Sequence, residues 1–245
     1  MKDRSLIYKL FYEKLPDSLE DVMPVYSGCK IVTCLCPHYF ITLQQESYSL
    51  YEEFNYICSD GILAILLNKL MGRKKSIRLS FDSTSMASPV FNSVIENGEK
   101  LYVLGAKQGE IERAIDSFKI KYPEISIAGF HHGYIKGKET CIADSIVSSG
   151  AKVCIIGMGA PAQDEMAVLL KKRGFVGTVY TCGGFIHQVQ ETMNYYPKWV
   201  DKLELRWLYR VFNEKGLLKR ILHSFPPFII SYSLFLHKIK NKSKS

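Results

Sequence analysis

The chain has 245 residues, 47% hydrophobic and 23% charged, which excludes disordered, collagen-like and small disulfide-scaffold classes and allows a full core in one domain or one and a half. Its formal net charge is +8, yet residues 1–197 carry 21 basic and 21 acidic side chains, whereas 198–245 carry 11 basic and 3 acidic. All of the excess lies in the last fifth, and a basic tail on a neutral body predicts an anionic partner: nucleic acid, a membrane surface or a phosphate-rich substrate.

The first residues, MKDRSLIYKLFYEKLPD, break every apolar run with a charge or a tyrosine. No signal-peptide core is expected there, and the reading is cytosolic. In chain order the pattern then predicts strands at 30–36 and 55–59, helices at 61–71 and 85–97, a strand at 100–105, a helix at 108–122 and a strand at 125–129. A helix at 138–149, a strand at 152–157, a helix at 162–173 and a strand at 178–182 follow. The strands are nearly continuous apolar runs, as in sheets covered on both faces, and the alternation predicts an α/β fold with a largely parallel sheet covered by helices. After Pro197 the pattern changes. Trp199, Leu203, Trp207 and Leu208, interleaved with Lys and Arg, read as a basic amphipathic helix. The chain therefore divides into an α/β body, 1–197, and a basic helical C-terminal appendage, 198–245. Within the appendage, FPPFIISYSLFL (225–236) has 12 residues, short of the roughly 20 that span a bilayer. Pro226 and Pro227 are expected not to continue a helix, which leaves an interfacial contact with a membrane surface.

Seven cysteines, several inside apolar runs such as KVCIIG, predict buried reduced thiols. Cys34 and Cys36 form a C-x-C pair, but no second Cys/His cluster completes a tetrahedral zinc site. In parallel sheets ligands gather at the carboxyl ends of the strands, so the strand-to-helix turns are the candidates. Asp60 in NYICSDG offers a carboxylate as general base or as partner to a sugar hydroxyl, beside the ordinary reading of a helix cap. GMGAPAQDE, from Gly157, follows a strand; Gly157 and Gly159 would let backbone approach a phosphate at a helix N-terminus. It half-matches a dinucleotide G-x-G-x-x-G, but it follows the fifth strand and no acidic residue sits about 20 positions on, so a nucleotide diphosphate fits better. Gly183 and Gly184 in CGGFIH form a further turn, serving either a ligand or tight geometry alone. Arg78 is placed to clamp a diphosphate, with Asp82 beside it. His131 and His132 read as loop or core histidines, a substrate contact being the alternative. Arg206 and Arg210, four apart, share one helical face.

Taken together and in this order, the motifs resemble the WecG/TagA/CpsF glycosyltransferases, glycosyltransferase family 26. The matching pieces are S-D-G at Ser59–Gly61, Arg78 with Asp82, YVLGAKQG from Tyr102, YPEISIAGFHHGY from Tyr122, GMGAPAQDE from Gly157, CGGFIHQ from Cys182 and YYPKWVDKLELRWLYR from Tyr195. They cover about residues 28–222, and their colinear order makes the resemblance specific. It implies a Rossmann-like body and an inverting, metal-independent transferase with no cofactor, peripheral on the inner face of the cell membrane. Such enzymes move an N-acetylmannosamine-type or related sugar from UDP to a polyprenyl-diphosphate-linked acceptor in capsule, exopolysaccharide or cell-wall synthesis. Asp60 matches the family's proposed base, and Arg78 and Gln163 its pocket. Arg206, Arg210 and Arg220 are the candidates to complete the site from the appendage. Three departures bear on the donor sugar. The family's Thr-x-Asn becomes VTCLCP, which keeps Thr33 and lacks the Asn; G-x-P-x-Q-E ends in Asp164; and CGGFIHQ lacks the usual Asp.

The implied mechanism places the diphosphate on the Gly157–Gln163 loop and Arg78, with Asp60 taking the acceptor proton. An NAD-dependent or nucleotide-sugar epimerase or dehydrogenase lacks both a Tyr-x-x-x-Lys pair and a ribose-binding acid. A nucleic-acid module would rely on the basic tail alone, against a neutral body, so no nucleic-acid partner is expected. A homo-oligomer stays compatible with the sequence.

Overall fold

A computed structural model describes residues 3–73, 76–190, 211 and 216–242. Its centre is a six-stranded sheet whose pairings are all parallel, in the order β2-β1-β6-β5-β3-β4. The strands are β1 (Cys29–Leu35), β2 (Tyr56–Ser59), β3 (Lys100–Gly105), β4 (Ser126–His131), β5 (Val153–Gly157) and β6 (Gly177–Thr181). All six fall on predicted runs. Between them lie α1 (Ser5–Lys14), α2 (Pro37–Thr42), α3 (Leu63–Leu70), α4 (Ala87–Glu96), α5 (Glu110–Lys121), α6 (Glu139–Ser148), α7 (Ala162–Lys172) and α8 (Phe185–Val189), then α9 (Leu217–Lys242). A 3-10 segment, Gln45–Glu53, links α2 to β2.

Side chains alternate across the pleat, so each central strand feeds two cores. On β5, Val153 and Ile155 face a core built with Phe91 of α4, Phe118 of α5 and Phe185 of α8. Cys154 and Ile156 face the other, shared with α1, α6, α7 and α9. Burial on both faces explains why the sequence reads as unbroken apolar runs instead of the alternation of a half-exposed sheet.

The C-terminal helix departs from the sequence expectation. Pro226 and Pro227 do not stop it: α9 runs through both for 26 residues. Each proline removes an amide that would bond four residues back, to Leu222 and His223. All four residues are exposed, so water can take those carbonyls, while packing on the opposite face holds the helix. That face is Ser224, Phe228, Tyr232 and Leu236, all buried, at spacing i, i+4, i+8, i+12. Tyr8 of α1 meets Tyr232 at 5.1 Å between ring centroids, and Phe40 of α2 stacks on Phe228 at 5.3 Å. The hydroxyl of Tyr8 pairs with that of Ser231 at 2.7 Å, and Tyr232 donates to Asn68 Oδ1 of α3 at 2.7 Å. The described end of the appendage is thus part of the body's own core. No helix among the described residues is long and apolar enough to cross a membrane.

Phe228→Ala should lower unfolding free energy by about 3 kcal/mol or more, because a fully buried ring leaves a cavity in a shared core. Chemical denaturation of both proteins measures this; a loss near zero would mean that α9 is not docked in solution.

Candidate active site

The loops after β1, β2 and β6, three strands adjacent in the sheet, converge at its carboxyl edge and border a cavity of about 490 Å³. Asp60 sits at its base. Its amide continues the ladder to Leu35 O at 3.0 Å, and Gly61, at φ +113°, turns the chain into α3 in a conformation that side-chain-bearing residues rarely adopt. Arg78 and Asp82 line the same wall and pair at 3.4 Å, with side chains only 13% and 15% exposed. Ser80 Oγ donates to Asp82, and Arg78 donates to Ser80 Oγ at 2.8 Å, while Thr84 donates its amide and hydroxyl to Asp82 Oδ1 at 3.0 and 2.7 Å. This orients the guanidinium at the wall. Gly183 and Gly184 form another side.

α9 contributes Arg220, Ile221, Phe225 and Ile229 to the lining, and α3 contributes Leu63 and Leu66. His38 of α2 pairs with Ser224 of α9 at 2.8 Å. Burial, followed by the charges of Arg220 and His223, pushes the imidazole pKa down. One cavity is thus lined by two carboxylates, two guanidinium groups, a double-glycine turn and the aliphatic side chains of α3 and α9.

Other predicted residues lie beneath this surface. Gln163 is buried, and its carbonyl oxygen accepts the amides of both Gly159 and Gly183 at 3.2 Å. The two glycine turns are therefore pinned to each other. They also touch: a Cβ on Gly157 would lie 2.8 Å from Gly183 O, so a side chain there would force them apart. These contacts occupy the Gly159 and Gly183 amides, and Gly157 and Gly159, both half-buried, are not among the residues that line the cavity. Thr33 is fully buried as well. Its hydroxyl donates to Asp164 Oδ1 at 2.9 Å and lies 2.6 Å from Thr181 Oγ1, so it supports the site from below instead of meeting a ligand. His131 and His132 remain at the end of β4, with rings 4.3 Å apart. None of the seven cysteines is in a disulfide; Cys34, Cys36 and Cys182 line the cavity, and Cys141 is exposed. Arg206 and Arg210 lie outside the described residues.

The sequence reading singled out neither Tyr39 nor Tyr51, and it noted Asp164 only as a departure from a motif. Tyr39 lines the cavity; burial pushes its pKa up to about 12, against a smaller pull from the Ala160 backbone. Tyr51 donates to Asp164 Oδ2 at 2.9 Å. Burial pushes the Asp164 pKa from 3.8 to about 7, against the pull of the hydrogen bonds from Tyr51 and Thr33.

That shift predicts a pH dependence of stability. The folded chain holds the Asp164 proton more tightly than the unfolded chain does. The resulting stabilisation is complete below the unfolded pKa of 3.8, and it is lost as pH rises through about 7. Asp164→Asn removes this titration. The unfolding free energy of the wild type minus that of the variant should fall between about pH 4 and pH 7 and level off above. A difference independent of pH would mean an ordinary carboxyl group.

Residues 5–244 match the model of the Glycosyl transferase WecG/TagA/CpsF family. A Shigella boydii protein named UDP-Gal:alpha-D-GlcNAc-diphosphoundecaprenol beta-1,4-galactosyltransferase is 33% identical over 204 residues, 82% of this chain and 85% of that one. Two proteins named N-acetylglucosaminyldiphosphoundecaprenol N-acetyl-beta-D-mannosaminyltransferase are also similar. The one from Bacillus subtilis is 24% identical over 81% of this chain and 75% of its own. The one from Staphylococcus aureus MW2 is 25% identical over 82% and 78%. With a parallel α/β sheet, the motifs in family order and a match along nearly its whole length, the chain belongs to the WecG/TagA/CpsF family and is a glycosyltransferase.

Proposed function

We propose that the enzyme moves a hexose, galactose or an N-acetylmannosamine-type sugar, from UDP to N-acetylglucosaminyl-diphospho-undecaprenol, with inversion at the anomeric carbon. The observation that carries this reading is a single cavity lined by both charged and aliphatic side chains. Asp60, Arg78 and Arg220 suit a hydroxyl nucleophile and a diphosphate, and the aliphatic side chains of α3 and α9 suit a prenyl chain. The relatives' names support the acceptor, since all three act on an N-acetylglucosaminyl-diphosphoundecaprenol. Their donors differ, and the 33% identity of the galactosyltransferase puts UDP-galactose first.

In this reading Asp60 accepts the proton of the acceptor hydroxyl as its oxygen bonds to the anomeric carbon from the face opposite UDP. The bond to the UDP oxygen breaks in the same step, and Arg78 and Arg220 take up the negative charge that develops on the leaving diphosphate. Attack from the opposite face inverts the centre.

Access to a membrane-held acceptor falls to the outer side of α9. Leu222, Ile230 and Leu234 are 65%, 60% and 53% exposed, and Leu66 and Leu70 of α3 are 48% and 78% exposed. Lys219, Arg220, Lys238 and Lys240 lie toward the two ends of the helix. An apolar face with flanking cations suits the surface of an anionic bilayer, which would make the enzyme peripheral on the cytoplasmic leaflet.

UDP-galactose and UDP-N-acetylmannosamine, each offered with the lipid-linked acceptor and read by mass spectrometry, test the reaction. Transfer from neither, with no other UDP-sugar accepted, would remove the proposal. Asp60→Asn should cut turnover roughly 10²- to 10⁴-fold with the fold intact, the range for a lost general base, and a near-normal rate would take Asp60 out of that role. For the membrane contact, Leu222→Glu with Ile230→Glu should weaken sedimentation with phosphatidylglycerol vesicles at least about tenfold, since two exposed aliphatic side chains lose their burial. Unchanged binding would show that the charges alone suffice.

A further inference from the structure

Asp164 lies next to Gln163 in the first turn of α7, with its carboxyl group fully buried. A buried acid is a poor stabiliser, because desolvation penalises its charge and apolar residues of similar volume generally pack as well. Buried titratable groups beside a cleft are more often part of a site's machinery.

Its contacts reach three elements. Oδ1 accepts from Thr33 of β1 and Oδ2 from Tyr51 of the 3-10 segment, both at 2.9 Å, and Thr33 continues to Thr181 of β6 at 2.6 Å. Both carboxylate oxygens accept from hydroxyl groups. The start of α7 is thereby tied to β1, to β6 and to the segment before β2. From this anchored turn two contacts run outward to the cavity wall. Gln163 holds the Gly183 amide at 3.2 Å, and the backbone of Ala160, just before the helix, is near enough to Tyr39 to favour its ionised hydroxyl. Gly183 and Tyr39 both line the cavity.

We propose that Asp164 is a positioning residue: through Thr33 and Tyr51 it fixes the first turn of α7, and that turn sets Gly183 and Tyr39 at the distance a UDP diphosphate requires. The inference rests on the donor reading above. Asn in its place keeps one acceptor oxygen and presents an amide N–H on the other side, so the hydroxyl there must reverse its role and turn its proton elsewhere, for Thr33 to Thr181 Oγ1. The turn would then shift, and placement errors well under 1 Å already weaken a preorganised site.

The test uses the full chain with UDP as the probe, measured by titration calorimetry, and donor and acceptor KM measured separately. Asp164→Asn should raise the UDP Kd and the donor KM about tenfold, the scale of one lost hydrogen bond to a charged acceptor, and leave the acceptor KM near wild type. Tyr51→Phe should act in the same direction more weakly. The double variant should be no worse than Asp164→Asn, because both changes break one connected unit. A folded Asp164→Asn protein with wild-type UDP affinity and donor KM would overturn the inference, as would losses that multiply in the double variant. If Asp164→Asn does not fold, Thr33 decides: Thr33→Val should weaken UDP binding and Thr33→Ser should restore it, and equal behaviour of the two would overturn the inference. Failure of the wild-type chain to bind UDP would sink the donor reading and this inference with it. UDP binding that the variants leave unchanged would sink this inference alone.

Discussion

The cavity exists because one aromatic face of α9 is buried against α1 and α2. Phe228 and Tyr232 stack at 5.3 Å with rings 15° from parallel, and Phe40 and Tyr8 close around them. Rings of this size carry most of the apolar area in such a contact, and offset and edge-on arrangements add to it. The packing fixes the rotation of the helix about its axis. Phe228 turned inward puts Ser224, one turn earlier, against His38, and it puts Arg220, one turn earlier still, at the cavity wall. A guanidinium group on a long flexible side chain is thus placed by aromatic contacts two turns away. Without them the carboxyl edge of the sheet would be an open groove instead of a cavity.

This dependence explains which parts of the fold could be read from the sequence. Most of the strands are legible because burial on both faces leaves a local mark, a short and largely apolar run; β4, at the sheet edge, has no fully buried residue and is the exception. The body helices are legible by their periodicity. What escaped was set by distant neighbours. Pro226 and Pro227 argue locally against a helix, and they are overruled because α9 gains its stability from Tyr8, Phe40 and Asn68 on other elements. The strand order is also non-local: β1 sits between β2 and β6, and nothing in the β1 sequence names its second partner.

The site divides in the same way. Asp60, Arg78, Asp82, Gly183, Gly184 and Arg220 were legible as residue types in turns at the ends of strands or as matches to family motifs, and they do meet in one cavity. The glycine turn at Gly157 was legible as a turn, but its work was not. The sequence suggested a phosphate cradle, while the geometry gives the amides of Gly159 and Gly183 to one glutamine oxygen. The network under the cavity was not legible at all. Thr33 and Tyr51 lie 131 and 113 residues from Asp164 in the chain, and none of the three belongs to a spacing pattern that marks the others as partners.

The excess charge of the tail acquires a geometric meaning from α9. The inner row of this helix, through Phe228 and Tyr232, and the outer row, through Ile230 and Leu234, are offset by two residues, about 200° around the axis. A helix apolar on opposite faces needs two partners. One is the body's core; on the proposed reading the other is lipid. Charge alone would serve poorly for this purpose, because exposed cations act over a screening length of only about 8 Å at physiological salt and carry no orientation. On that reading they would concentrate the protein near an anionic surface, and the aliphatic row would then select which side faces it. Because the same helix supplies Arg220, Ile221, Phe225 and Ile229 to the cavity, the side it turns toward lipid also sets where the cavity opens. On the proposed reading, attachment and access to a lipid-linked acceptor therefore depend on one element and cannot be varied independently.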